Sequence, residues 1–254
     1  MIVGVVGLGA MGRPIAERLA RAGFEVLGRD PHATAAGVRM VETVAAADFV
    51  FVIVPTDDDV IAVVTDLLAA AHPGQTIAIS ASVRPSTCQA LAARAADRGV
   101  DVIDVALTGG VRGAESGTLN LLVGGDPAVV DRSRDVLMAI ASGYHLLGPV
   151  GAGQVAKAAG NLIHWAEIVA IDEALRLAAA FGVSPAALRL ALQEGGTDSR
   201  TLRELELMRF TWYAKDIAVA EQMAAGVNLE LPVAALSRRL MDHITPTAIR
   251  DLLR

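Results

Sequence analysis

The sequence predicts an α/β domain built on a parallel sheet covered on both faces, followed by an all-α domain reached along one long linking helix. Three observations predict it. Short Val- and Ile-rich runs alternate with helix-patterned stretches as far as Val150, the strand signal stops after Gly151, and Gly153–Phe181 reads as a single long helix closed by Gly182. Parallel strands need a crossover between them, and crossover helices cover the sheet, so this alternation reads as a sheet buried on both sides. At about 150 residues per domain, the 254-residue chain suits two modest domains, expected over 1–150 and 151–254. That is enough to bury a core without disulfide or metal staples.

In chain order, Ile2–Gly7 is the first strand. Met11, Ile15 and Leu19 then recur at i, i+4 and i+8, with Pro14 near the start, which marks an amphipathic helix. Glu25–Gly28 is the second strand. The connection from Asp30 to Phe49 is short and weakly patterned, so no full helix is expected there. Phe49–Val54 is a strand, Val60, Val63, Val64 and Leu67 repeat the helical period, and Thr76–Ser80 is the next strand. Val102–Leu107 runs into a Gly-rich loop, followed by a strand at Leu119–Val123, a helix near Ala128–Ala139 and a short run at Tyr144–Leu147. After the long helix, Ser184 is a natural N-cap with Pro185 at the first helical position. Helical periodicity continues through Arg200–Ala225 and Pro232–His243.

Composition excludes several classes. With 53% hydrophobic and 20% charged residues and a mean hydropathy of +0.47, the chain is too apolar for intrinsic disorder. The most apolar run, Val155 to Phe181, is interrupted by Lys157, His164, Glu167, Asp172, Glu173 and Arg176. It therefore leaves no span of about 18 uncharged apolar residues, and no membrane association is expected. The start, MIVGVVGLGA, is a buried-strand pattern without a basic leader region. A single cysteine, Cys88, allows no internal disulfide and no metal-cluster spacing, and no HExxH or CxxC is present, so no metal is expected. A formal charge of -6 without a dense Lys/Arg stretch argues against a nucleic-acid partner. A cytoplasmic globular protein is expected.

Gly7-Leu8-Gly9-Ala10-Met11-Gly12 is a G-x-G-x-x-G that closes the first strand and opens the first helix, with the acidic Asp30 about 20 positions on. This context points to a Rossmann dinucleotide-binding domain. Gly7 makes the tight turn, Gly9 leaves room for a pyrophosphate, and Gly12 lets helix and strand pack closely. The phosphates would rest on N–H groups at the helix N-terminus. Asp30 stands where a carboxylate accepts hydrogen bonds from both adenosine ribose hydroxyls, which favours NAD. The adjacent Arg29 is placed to hold a 2′-phosphate, which favours NADP. A carboxylate repels that phosphate, so the balance tips toward NAD. Val54-Pro55-Thr56 ends another strand on the same edge, where ligands gather in open α/β sheets. Pro55, Thr56 and, past the following strand, Ser82 are candidate cofactor contacts.

Three more segments complete the pattern. They are Asp104-Val105-Ala106-Leu107-Thr108-Gly109-Gly110-Val111-Arg112-Gly113-Ala114-Glu115-Ser116-Gly117-Thr118, Gly151-Ala152-Gly153-Gln154-Val155-Ala156-Lys157-Ala158-Ala159-Gly160-Asn161, and Lys215-Asp216-Ile217-Ala218-Val219-Ala220. With the N-terminal Gly7–Ala16 motif, their order resembles the β-hydroxyacid dehydrogenase family, which includes 3-hydroxyisobutyrate dehydrogenase and the tartronate and succinic semialdehyde reductases. The resemblance spans Gly7 to Ala220. It implies oxidation of a small β-hydroxyacid, or reduction of the matching semialdehyde, with NAD or NADP. It implies Lys157 as the catalytic residue with Asn161 supporting it. Thr108-Gly109-Gly110 would hold the substrate carboxylate, and Lys215 would lie near substrate and cofactor. Ala106 stands where the family usually has proline, Thr108 where it has serine, and Gly160 where it has the first of paired asparagines. A homodimer or homotetramer is expected.

The residues make chemical sense by themselves. On a helix Lys157 and Asn161 are i and i+4 and share a face. A hydride leaves a carbinol carbon only as the hydroxyl proton is removed, and a lysine amine can take that proton. The ordinary lysine pKa of about 10.4 must fall for this, through desolvation or a neighbouring cation. Glycine N–H groups at Gly109 and Gly110 suit close approach of a carboxylate. His164 shares the Lys157 face but reads as packing with Trp165 and Ile168. Two other readings stay open. An imine reductase shares this architecture but generally replaces the lysine; a nucleotide-binding module without turnover would not need Thr108, Lys157, Asn161 and Lys215 together.

Overall fold

The computed structural model describes residues 1–254, which form two compact units, Met1–Lys157 and Ala158–Arg254. In the first, the elements run β1 (Ile2–Val6), α1 (Gly12–Arg21), β2 (Glu25–Arg29), β3 (Arg39–Met40), β4 (Phe49–Val52), α2 (Asp57–Ala70), β5 (Thr76–Ile79) and α3 (Pro85–Ala96). They continue with β6 (Asp101–Thr108), α4 (Gly110–Ser116), β7 (Leu119–Gly124), α5 (Pro127–Arg132), α6 (Arg134–Met138) and β8 (Ala141–Gly148). All eight strands form one sheet in the order β3-β2-β1-β4-β5-β6-β7-β8.

The first six strands are parallel, β7 is antiparallel to β6, and β8 is parallel to β7. The reversal follows from chain length. Residues 109–118 are too few for the dozen or so a parallel crossover needs, so the chain returns beside β6 in the opposite sense. Strand β4 shows why both faces are covered. Phe49 and Phe51 join a layer with Val3, Val5, Ile15, Leu19, Ile103 and Val105, while Val50 and Val52 join the opposite layer with Val64, Leu67, Ile77, Ile79 and Leu91. Both side-chain sets of one strand are buried, as a doubly covered parallel strand requires.

Several local expectations change. The Gly-rich segment after β6, expected as a loop, contains α4. Its Gly113 lies tight against Leu119, with 3.2 Å between a Cβ built there and Leu119 Cδ2, so close packing outweighs the poor helix propensity of glycine. The helix expected near Ala128–Ala139 is two short pieces, α5 and α6. The Ser133 hydroxyl between them donates back to the Val129 carbonyl (2.7 Å), a bond that bends helices. Helix α3, opened by Pro85 at its first position, buries mostly small side chains (Thr87, Cys88, Leu91 and Ala95), so apolar periodicity does not mark it. Between β2 and β4 only the two-residue β3 forms and no helix does, as expected.

Helix α7 (Ala152–Ala180) starts in the first unit and runs into the second. It closes with Gly182 N–H on Ala179 O and Val183 N–H on Ala178 O, a Schellman pair. The second unit continues with α8 (Pro185–Leu192), α9 (Arg200–Glu204), a 3-10 turn at Leu205–Leu207, α10 (Tyr213–Ala225), α11 (Pro232–Met241) and α12 (Pro246–Leu252). Trp165, Ile168, Leu175, Leu205, Phe210, Ile217, Met241 and Ile249 make its core. The continuous helical pattern expected over Arg200–Ala225 is broken at residues 208–212. Burying Phe210 takes the backbone out of helical register, with Met208 extended at ψ 151°. No helix is long and apolar enough to cross a membrane.

Candidate active site

The ends of β1, β2, β4, β5 and β6 form one edge of the first unit, and the predicted cofactor residues lie along it. Gly7 has φ +92°, and its N–H donates to the Arg29 carbonyl (2.9 Å). A side chain at Gly7 would strike the Ile53 carbonyl, and one at Gly12 would strike the Gly7 carbonyl. At Gly9 an added Cβ meets nothing within 4 Å. The loop is thus closed on its protein side and open at Gly9 and Ala10, both exposed at the N-terminal end of α1. Leu8 is buried beneath it, and Met11 occupies the N-cap of α1. Such an opening fits a pyrophosphate on first-turn N–H groups.

Asp30 follows β2 directly and is built into this loop. Its Oδ2 accepts the Leu8 N–H (2.7 Å), and its Oδ1 accepts the N–H groups of His32 (2.8 Å) and Ala33 (2.9 Å). Partial burial pushes the carboxyl up, but these bonds and the nearby His32 outweigh it and hold the pKa below the ordinary value. A carboxylate offers about four acceptor positions, so three are used within the protein and one remains for a ribose hydroxyl rather than two. Arg29 is turned to an ion pair with Asp66 of α2. Thr56 is the N-cap of α2 in a capping box with Asp59, its hydroxyl 2.6 Å from the Asp59 carboxylate, and Pro55 precedes it on the exposed edge. Ser82 is exposed between β5 and α3.

Thr108 ends β6 and donates its hydroxyl to the Asn120 carbonyl of β7 (2.7 Å). Gly109 (φ +109°) and Gly110 (φ +65°) follow in the left-handed region, with open space where a Gly110 side chain would be. Lys157 and Asn161 stand one turn apart on α7, both half-buried; Lys157 is in the first unit and Asn161 in the second. Residues 2–251 match known proteins in two consecutive blocks. Residues 2–151 match the NAD-binding domain of 6-phosphogluconate dehydrogenase, and residues 151–251 match the NAD-binding domain of NADP-dependent 3-hydroxyisobutyrate dehydrogenase. The 2-hydroxy-3-oxopropionate reductase of Escherichia coli K12 is 33% identical, over 95% of this chain and 90% of its own. The solved structure of Mycobacterium tuberculosis 3-hydroxyisobutyrate dehydrogenase with L-serine superposes with a TM-score of 0.88 at 28% identity, covering 95% of this chain and 92% of that one.

The chain belongs to the β-hydroxyacid dehydrogenase family. With that family it belongs to the NAD(P)-dependent oxidoreductases. An imine reductase from Streptomyces aurantiacus also superposes, with a TM-score of 0.67 and full coverage of both chains, but at 17% identity that likeness is one of fold alone.

In the second unit of this dehydrogenase, Lys215 is exposed on the first turn of α10, and the neighbouring Asp216 carboxylate accepts the indole N–H of Trp165 from α7 (3.2 Å). His164 sits 3.1 Å from the Thr201 hydroxyl with its ring 4.7 Å from that of Trp165, the packed histidine its position suggested. Two further side chains of the motif segments, Asp104 and Gln154, are buried at the start of α7. The Asp104 carboxylate of β6 accepts the N–H groups of Gly151 (2.6 Å) and Gln154 (2.8 Å). Burial pushes its pKa up, against the pull of the backbone N–H groups of Gly151, Gln154 and Gly153. The Gln154 amide spans the loop that presents Ser82, donating to the Ala81 carbonyl (2.9 Å) and accepting the Val83 N–H (3.2 Å). The available signal is an acid in mid-strand with apolar residues on both sides.

Proposed function

We propose that this dehydrogenase oxidises the hydroxyl-bearing carbon of a small β-hydroxyacid, or reduces the matching semialdehyde, with Lys157 as general acid/base. The observation that carries the reading is the attachment of the first turn of α7, which precedes Lys157, to Asp104 of β6 and to the loop after β5 that presents Ser82. Gly7 to Gly12, Asp30, Pro55, Thr56 and Ser82 are the residues to hold the dinucleotide. Bound there, its nicotinamide supplies the hydride acceptor in oxidation and the hydride donor in reduction. Lys157 takes the hydroxyl proton as the alcohol becomes a carbonyl and returns it in the opposite direction. Such positioned proton transfer contributes about 10²–10⁴ in rate. Asn161 supports Lys157 from one turn away, Thr108-Gly109-Gly110 receives the carboxylate, and Lys215 is the lysine that the family pattern assigns to the substrate.

NAD is the favoured cofactor. Asp30 stays ionised and keeps one acceptor position for a ribose hydroxyl, and Arg29 is engaged by Asp66 instead of facing a 2′-phosphate. The expected assembly is a cytoplasmic homodimer or homotetramer. Val155, Ile163 and Leu177 on one exposed face of α7, with Phe181 just past its end, form an apolar stripe, Ile163 69% and Phe181 80% exposed, that suits a second copy of the chain. Kinetics of Lys157→Ala test the main reading. The expected result is a fall in kcat of about 10²–10⁴ with the Kd for NAD unchanged; full turnover in that variant would overturn it.

A further inference from the structure

Helix N-termini are ordinarily capped by a residue from the chain just before them, which steadies the helix but does not place it in the fold. Helix α7 is different. Its cap-position N–H, on Gly151, and its third-position N–H, on Gln154, both end on Asp104, a residue 47 and 50 positions earlier in the middle of β6. Asp104 is fully buried, on a strand whose neighbours Ile103, Val105 and Ala106 are apolar. The carboxylate sits in a slot cut for it. A side chain at Gly124 of β7 would run into Oδ1, and one at Gly153 would lie 2.7 Å from Oδ2. Two separate oxygens meet two donors one turn apart, so both the axial position and the rotation of the helix start are set from the sheet.

The Gln154 side chain adds a second tie to the sheet edge through Ala81 and Val83. Lys157 follows Gln154 by three residues, about 4.5 Å along the axis at 1.5 Å per residue. An uninterrupted helix therefore transmits any shift at Gln154 to the Lys157 amine.

We propose that Asp104 is a positioning residue: anchored in the central sheet, it fixes the start of α7 and thereby the placement of Lys157 over the cofactor edge. This rests on the reading of Lys157 given above. Asp104 is fully buried, so its role is positional. Without it, two buried N–H groups seek other acceptors and the helix start shifts, and a displacement near 1 Å at the reacting groups costs about 10²-fold in rate.

The test is a cycle of Asp104→Asn and Lys157→Ala in the full-length enzyme. Turnover is expressed per cofactor site, counted by titration with NADH, so that misfolded protein is not scored. Asn keeps the size of Asp but turns one acceptor into a donor facing a backbone N–H. The expected result is a drop in kcat per site of about 10²-fold, with the Kd for NADH changed less than about threefold. In the Lys157→Ala background, adding Asp104→Asn is expected to change the residual rate less than about threefold. A purely structural role would lower the melting temperature and the number of sites but leave kcat per site intact, and that result overturns the proposal. So do losses that multiply fully in the double variant. Should Asp104→Asn fail to fold, Gln154→Ala removes the second tie alone and is expected to give a smaller loss, about tenfold, with the same non-additivity. Full turnover by Lys157→Ala alone would overturn the Lys157 reading, and this proposal with it, before any Asp104 variant is measured.

Discussion

Gly9 separates what the fold needs from what the ligand needs. Its φ is not positive, and a Cβ built on it has nothing within 4 Å, so Gly9→Ala leaves the free protein unstrained. Less unfolded-chain freedom is worth about 0.4–1 kcal/mol in favour of the folded state. For a chain of this size that moves Tm by about 1–4 °C upward. The same methyl group stands in the opening above the first turn of α1, where a pyrophosphate must reach the backbone. Losing even one charge-assisted hydrogen bond there costs about 1.5–3 kcal/mol, which raises the Kd for NAD by about 10–150-fold. Gly12→Ala is the contrasting variant: its Cβ strikes the Gly7 carbonyl in the free protein, so overpacking costs about 1–3 kcal/mol and Tm falls. Calorimetric titration with NAD and thermal melts of both proteins give the comparison. If Gly9→Ala binds NAD as wild type does, the opening is not the pyrophosphate site and the assignment of the loop is wrong.

Other expectations follow from the same contacts. Asp30→Asn places an amide N–H₂ against the N–H of Leu8 or those of His32 and Ala33; cofactor titration should show affinity for NAD falling about tenfold or more. Because the Asp30 pKa is lowered on folding, its contribution is present above the ordinary carboxylate value of about 3.9 and lost as pH falls through the lower folded value. NAD binding followed by fluorescence should therefore show no Asp30-linked loss down to about pH 4, and a loss centred near pH 6 would contradict the ionised, bonded carboxylate. Trp165→Phe removes the indole N–H bonded to Asp216 and should destabilise by about 1.5–3 kcal/mol in urea titrations; a change below about 0.5 would show that the bond contributes nothing net. Phe51→Ala empties a fully buried site between β4 and its covering layer and should lower stability by about 3–5 kcal/mol, read as a shifted urea midpoint at unchanged slope.

Periodicity served best where a single physical demand decided the residue. Doubly buried strands such as Phe49–Val52 and the dinucleotide loop at Gly7 to Gly12 were readable because burial and close backbone approach each leave a distinct residue pattern. Elements decided by long-range packing were harder to read. Helix α4 is rich in glycine and looks like a loop until Leu119 is known to lie against Gly113. Residues 208–212 leave the helix only because Phe210 has a core to enter. In the site, chemistry-bearing types such as Lys157 and Asp30 could be named from sequence, but their partners could not. The one acceptor position left on Asp30 depends on loop N–H groups, and Asp104 acts on residues 47 and 50 positions away.

The eight-stranded order ends on two dissimilar margins. At one, β3 contributes only Arg39 and Met40, with Arg39 ion-paired to Glu25, so few unpaired peptide groups are on offer and a charged pair guards them. At the other, β8 runs for eight residues and carries the exposed Leu146 and Leu147, a composition that invites another strand. Its ladder with β7 slips register at Leu119/Asn120 and again at Val123/Gly124. Irregularities of this kind twist a strand away from flatness, and a flat hydrophobic edge is what sheet-to-sheet aggregation requires. Brevity with charge at one margin and broken register at the other keep a very apolar sheet from templating its own polymer.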